Sequence, residues 1–235
     1  MLRCAQHDTR TGGTAGWKPA PRRRTGAPVE DQSGHEQLVR GLFEANAIKF
    51  GQFVLKDGST SPFYVDLRVL VSYPRLLWTV ADAFLGELSA LEFDRVAALP
   101  YAGLPIGVAI SLRGDLPLIY PRREAHRTGT ARLIEGEFTP GETAVVVDDV
   151  VTSGGSKLEA VAPLREAGLQ VRDVVVLIDR EQGATEALRE AGLQVRPVTT
   201  ISEVLGMLHR LGHLEANQLE EALAFVARSR AERGG

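Results

Sequence analysis

Apolar residues near the start of the chain fall at helical spacing. Leu38, Val39, Leu42 and Phe43 share one face, so ordered structure is expected to begin near His35. Pro74 suits the first turn of a second helix, whose face carries Leu77, Val80, Ala81, Phe84, Leu85 and Leu88. The period then changes. Apolar runs of strand length follow at 96–99, 116–120, 144–147, 174–178 and 195–199, with helical stretches between them. Strands that are apolar on both faces and separated by helices predict an α/β fold, a central and mostly parallel sheet flanked by helices. A last helix is expected over about 217–230.

A repeat supports this phasing. The nine residues LREAGLQVR occur twice, from Leu164 and from Leu188. Each copy reads as a helix end, a glycine just past it, and entry into a strand. Two copies are too few for a solenoid, so they are expected to form two helix-to-strand corners of one sheet. Residues 1–33 stand apart. They are rich in Gly, Thr, Pro and Arg, include the run Arg22, Arg23, Arg24, and hold few aliphatic residues. Such a segment buries too little surface to offset the entropy of ordering and is expected to be a disordered tail. The domain is expected over 34–235.

The totals narrow the class. A chain of 235 residues, 44% of them hydrophobic, can build one α/β domain with its own core. The net charge of -3 does not favour nucleic acid as a partner. Cys4 is the single cysteine, so no disulfide can form within the chain, which fits a reducing compartment. The longest apolar stretches are strand-sized, short of a membrane span, and the N-terminus lacks the apolar core of a secretory signal. A cytoplasmic protein without membrane or nucleic-acid partners is expected.

The strongest chemical signal is AVVVDDVVTSGGS, residues 144–156. A buried strand leads to Asp148 and Asp149 at its C-terminal edge. The small polar run Thr152, Ser153, Gly154, Gly155, Ser156 follows, and a helix is expected from Lys157 to Glu166. Ligands of parallel sheets bind beyond the C-terminal strand ends. A glycine-rich turn entering a helix offers backbone N–H groups and the positive end of the helix dipole to a phosphate. The chain contains neither G-x-x-x-x-G-K-[ST] nor G-x-G-x-x-G. The acidic pair suits a sugar phosphate, with carboxylates accepting hydrogen bonds from ribose hydroxyls.

This segment resembles the motif by which type I phosphoribosyltransferases bind 5-phosphoribosyl 1-diphosphate (PRPP). Four more segments, in order, resemble orotate phosphoribosyltransferases: KFGQFVLKDGSTSPFYVDLR (49–68), ALPYAGLPIGVAI (98–110), PRREAHRTGTARLIEG (121–136) and LIDREQG (177–183). The resemblance spans about residues 36–210. It implies the type I phosphoribosyltransferase fold, with a small N-terminal hood and a mobile basic lid loop. It further implies transfer of the phosphoribosyl group of PRPP to orotate, Mg²⁺ carried by PRPP, and a homodimer that shares the lid between subunits. By the same resemblance Arg180, Lys56, Tyr64, Val65 and Thr152 meet orotate. Arg122, Arg123, Thr152, Ser153, Gly154, Gly155 and Ser156 meet PRPP, Asp148, Asp149 and His126 fall at catalytic positions, and Arg127 joins them as a catalytic candidate from its place beside His126. A flat ring bearing a carboxylate needs a cation and an apolar face, which Arg180 and the residues near Tyr64 could supply. A rim salt bridge from Arg180 to Asp179 or Glu181 is the competing structural role.

The basic segment departs from the family pattern. Many members read Arg-Lys-Glu-x-Lys-x-His-Gly, whereas this chain has Arg122, Arg123, Glu124, Ala125, His126, Arg127, Thr128, Gly129. His126 takes the place of the lysine regarded as catalytic, and Arg127 is the nearby cation that could substitute for it. Ala102 stands where many bacterial members have lysine. Two alternatives stay open: a phosphoribosyltransferase for another base, and a non-catalytic PRPP-sensing regulator.

Overall fold

The computed structural model describes residues 32–55, 58–122 and 133–233. Helix α1 (Gln32–Glu44) begins two residues inside the segment expected to be tail. It buries Leu38, Val39 and Leu42, the residues whose spacing announced it. An antiparallel hairpin follows, β1 (Ile48–Val54) with β2 (Thr60–Val65), pairing Phe50 with Phe63. This small hood is a separate sheet. A 3₁₀ turn, Leu67–Ser72, then leads into α2 (Pro74–Leu88). Pro74 lies in the first turn of α2, where its missing N–H costs nothing. Val80, Ala81, Phe84 and Leu88 form the buried stripe of α2.

The main sheet comprises β3 (Arg95–Ala98), β4 (Leu118–Pro121), β5 (Ile134–Glu135), β6 (Thr143–Val151), β7 (Gln170–Asp179) and β8 (Gln194–Thr200). Its order is β5-β4-β3-β6-β7-β8. All neighbours are parallel except β5, which runs antiparallel to β4. Between strands run α3 (Gly103–Gly114), α4 (Gly155–Glu166) and α5 (Ala184–Glu190); α6 (Ile201–Arg210) and α7 (Ala216–Arg233) close the chain. Alternation along β6 divides the core into two. Val145 and Val147 pack with the hood, α1, α2, α3, α6 and α7. Val146 packs on the other side with Val161 and Leu164 of α4 and Leu188 of α5.

The repeated nonapeptide builds one corner twice. Gly168 (φ 89°) and Gly192 (φ 72°) take the left-handed conformation just past α4 and α5. In each copy the glycine N–H reaches the carbonyl three residues back, at 3.0 Å, from Gly168 to Arg165 and from Gly192 to Arg189. The next N–H reaches one residue further, from Leu169 to Leu164 (3.1 Å) and from Leu193 to Leu188 (2.9 Å). Both receiving leucines are fully buried.

β6 runs longer than its apolar run predicts. β6 continues through Asp148 and Asp149 to Val151, because β7 pairs with it as far as Val151↔Asp179. The acidic pair therefore lies within the strand, not beyond it. β5 has two residues, too few for a periodic signal.

Candidate active site

The C-terminal edge of β6 gathers the acidic pair, the glycine turn and the start of α4. Asp148 is buried, 6% exposed, and its Oδ1 accepts the N–H of Asp149 at 2.8 Å. Its Oδ2 accepts a hydrogen bond from the ammonium of Lys157, in the first turn of α4 and also 6% exposed. A buried carboxylate needs a cation and hydrogen bonds to remain charged, and here it has both. Asp149 is half-buried, and its Oδ1 accepts the Val150 N–H at 2.7 Å. Burial, and then the neighbouring Asp148 charge, push its carboxyl up to about 7; Lys157 and the Val150 N–H act in the opposite direction.

The turn after β6 fits a phosphate cradle. Gly154 (φ 83°) caps α4, and its carbonyl accepts from the N–H groups of Lys157 (2.9 Å) and Leu158 (3.2 Å). A side chain at Gly154 is disfavoured on two counts: its backbone is left-handed, and a Cβ would lie 3.1 Å from Leu188 Cγ. Ser153, Gly155 and Ser156 are exposed and Thr152 is half-buried. The first N–H groups of a helix have no partner within it and point outward along its axis, towards this space.

Arg180 follows β7 directly beside this turn, its N–H bonded to the Val151 carbonyl at 3.0 Å. Its guanidinium lies 5.6 Å from the centre of the Phe63 ring in β2, and Phe63 meets Phe225 of α7 edge-on at 5.9 Å. The two carboxylates flanking Arg180 in sequence each accept hydrogen bonds from the chain around them. Asp179 accepts the Glu181 N–H (2.7 Å) and the Thr185 hydroxyl (3.1 Å). Glu181 accepts the Ser202 N–H (2.8 Å). Tyr64 stacks on Phe53 at 5.5 Å and receives an Arg68 N–H at 3.4 Å. Val65 is half-buried against the core. The hood residue that meets Arg180 is thus Phe63.

Arg122 follows β4 at the same sheet edge and pairs with Glu135 of β5 at 3.1 Å. Lys56, Arg123, His126 and Arg127 lie outside the described residues. A cavity of about 1100 Å³ opens at the opposite edge, lined by Arg95, Pro117, Phe138 and Pro140 among others. It contains neither the acidic pair nor the glycine turn. No helix among the described residues is long and apolar enough to cross a membrane.

Lys157, Phe63 and Gly103 were not foreseen from the sequence. Lys157 carries no local signature, since its partner lies nine residues upstream in a different element. Phe63 reads as an ordinary strand aromatic. Gly103 opens α3 against β6, where a Cβ would lie 2.7 Å from Asp148 Oδ1. Its position in ALPYAGLPIGVAI, just after a strand, was the available clue.

No family model matches the chain. The chain is 41% identical over 181 residues to the bifunctional enzyme PyrF/PyrE of Nostoc sp., covering 77% of this chain and 38% of that protein. It is 34% identical over 204 residues to the orotate phosphoribosyltransferase of Caenorhabditis elegans, covering 86% and 88%. Among solved structures, the UMP synthase of Leishmania donovani superposes with a TM-score of 0.76 at 40% identity, covering 82% of this chain and 42% of that one. The chain thus spans about two fifths of the Nostoc and Leishmania proteins but nearly the whole of the nematode enzyme. The strand order, the acidic glycine turn and this similarity agree: the chain belongs to the orotate phosphoribosyltransferase family.

Proposed function

We propose that the protein transfers the phosphoribosyl group of PRPP to orotate, giving orotidine 5′-monophosphate and pyrophosphate, as a step of pyrimidine nucleotide synthesis. The observation that carries this reading is a juxtaposition at one sheet edge. The acidic pair of β6, the glycine turn before α4 and Arg180 just past the adjacent strand converge there. In this reading the turn holds the 5′-phosphate with backbone N–H groups and the hydroxyls of Thr152, Ser153 and Ser156. The acidic pair accepts hydrogen bonds from the ribose hydroxyls and faces the positive charge that grows on the ring. Arg180, backed by the face of Phe63, meets the orotate carboxylate beside Thr152, while Tyr64 and Val65 of the hood border the ring. Pyrophosphate leaves towards Arg122 and, by sequence, the other cations of residues 122–132. The ring nitrogen of orotate then bonds to the ribose carbon from which pyrophosphate departs.

Mg²⁺ fits this donor set as an ion carried by the substrate. One carboxylate of the pair is already held by Lys157, and a diphosphate offers the hard oxygens that this ion prefers. When bound, it would neutralise the diphosphate. A homodimer is part of the proposal. Tyr101, just before α3, and Val108 and Leu112 on α3 are 62%, 46% and 81% exposed, a surface that a second copy would cover. We read the protein as cytoplasmic.

The test is the loss of orotate absorbance on mixing protein, orotate, PRPP and Mg²⁺, with adenine, hypoxanthine and uracil as competitors. Turnover that requires all three components supports the reading. PRPP binding without turnover of any base would leave a PRPP sensor. Replacing Arg180 with leucine should raise the KM for orotate at least tenfold, roughly the loss expected of a charged hydrogen bond, with little change in that for PRPP.

A further inference from the structure

The two aspartates of β6 are not equivalent. Asp148 is held at every side that the structure describes. Oδ1 takes the Asp149 N–H, Oδ2 takes the Lys157 ammonium, and the start of α3 closes over it at Gly103. The side chains of Lys157 and Asp148 are 8% and 9% exposed, so the ion pair is shielded from solvent. It also spans the glycine turn, tying the strand before the turn to the helix after it. Asp149 is more open, and its Oδ1 meets a backbone N–H. We propose that Lys157 is a positioning residue: it locks Asp148 into the frame of the turn and leaves Asp149 as the carboxylate that engages the ribose hydroxyls.

This rests on the acidic pair being the ribose-binding element. Among the described residues, the charged groups acting on Asp149 are Asp148 beside it on β6 and Lys157 from α4. Removing Lys157 leaves Asp148 without its cation and deprives Asp149 of the positive charge that favours its ionised form. Two carboxylates would then share one small site without that cation, and the loss of its positive charge should let Asp149 hold its proton to higher pH. A purely structural role for Lys157 would weaken the turn equally at all pH values.

The test uses the full chain carrying ¹³C-labelled aspartate carboxyls, titrated by NMR in wild type, Lys157→Met and Lys157→Arg. Asp149→Asn identifies the resonance. Lys157→Met is expected to raise the Asp149 midpoint by about one pH unit, the low end of the effect of a nearby opposite charge. Lys157→Arg should restore it. Calorimetric PRPP binding should follow the titration. Lys157→Met should bind about tenfold more weakly than wild type well below the wild-type midpoint, with the deficit shrinking between the two midpoints and returning to nearly wild-type affinity above the new one. An unmoved Asp149 midpoint in a folded Lys157→Met protein, or a binding loss that is the same at every pH, overturns the proposal. Should Lys157→Met fail to fold, Lys157→Gln takes its place, with the same two outcomes. The carboxyl titration needs no substrate. A protein that shows the shift yet does not turn over orotate would therefore refute the choice of base and not the role of Lys157.

Discussion

Replacing Gly103 with alanine adds one methyl group where α3 meets β6, and the structure gives the size of the insult. The new Cβ would lie 2.7 Å from Asp148 Oδ1, 3.0 Å from the Val147 carbonyl oxygen and 3.1 Å from Asp148 Cα. Non-bonded heavy atoms rest at about 3.5 Å, so the tightest contact is short by about 0.8 Å. Neither neighbour can yield easily. The Val147 carbonyl accepts the Leu99 N–H at 3.1 Å, and the Asp148 carboxylate is fixed by Lys157 and the Asp149 N–H. The helix must shift instead. Overpacking of this kind costs roughly 1–3 kcal/mol, against a gain of at most about 1 kcal/mol from replacing glycine in a helix. The net loss of up to about 2 kcal/mol should lower Tm by as much as roughly 8 °C for a domain of this size. Gly86→Ala is the matched control. Gly86 is exposed within α2 and a Cβ there meets nothing within 4 Å, so about 0.5–1 kcal/mol of stability should be gained. Thermal melts by circular dichroism read both changes. If Gly103→Ala melts at or above the wild-type temperature, the close approach of α3 to β6 does not constrain the fold.

Asp149→Asn tests the raised carboxyl. The folded protein holds a proton on Asp149 that the unfolded chain has released, so between about pH 4 and pH 7 wild type loses stability as pH rises. The asparagine variant lacks this term. In denaturant titrations its advantage should be near zero at pH 4 and should level off above pH 7 at no more than about 4 kcal/mol; a constant difference across pH would refute the shift. Glu142 shows the opposite sign. Arg95 grips it with hydrogen bonds of 2.7 and 2.8 Å and holds its carboxyl below the usual range. Its contribution is complete above the unfolded pKa and is lost as pH falls through the lowered folded value. Glu142→Gln should therefore cost about 1–2 kcal/mol at pH 7 and progressively less on acidification, as measured by urea unfolding. Thr200 caps α6, accepting the Glu203 N–H at 3.2 Å while Glu203 accepts the Thr200 N–H at 2.9 Å. Thr200→Ala should cost about 1 kcal/mol, visible as a lower urea midpoint at unchanged slope.

The sheet was readable because burial on both faces writes continuous apolar runs, and β3, β4, β6, β7 and β8 all carry one. The hood was harder to read. β1 and β2 alternate unevenly, with a break in register between Phe50 and Phe53, so no strand period stands out. The extension of β6 past Val147 was hidden for a related reason. Hydrophobicity stops at Asp148, but pairing with β7 does not, because a lysine from the following helix neutralises the first carboxylate. The glycine turn and Arg180 were legible as ordered motifs. Partners that meet across elements, such as Phe63 beneath Arg180, leave no trace in local spacing.

The duplicated corner poses a question of address. Identical nonapeptides leave α4 and α5 through the same bonds, so nothing within the nine residues tells the chain which slot in the sheet each copy should fill. The distinction comes immediately afterwards: Asp173 follows the first copy and Pro197 the second. A proline cannot donate to a ladder and is tolerated at a sheet edge but not in the middle. The second copy therefore feeds β8, the last strand, and the first feeds β7, which is paired on both sides. One residue outside the repeat thus tells two equivalent segments apart, and the same residue discourages a further strand from extending the sheet beyond β8.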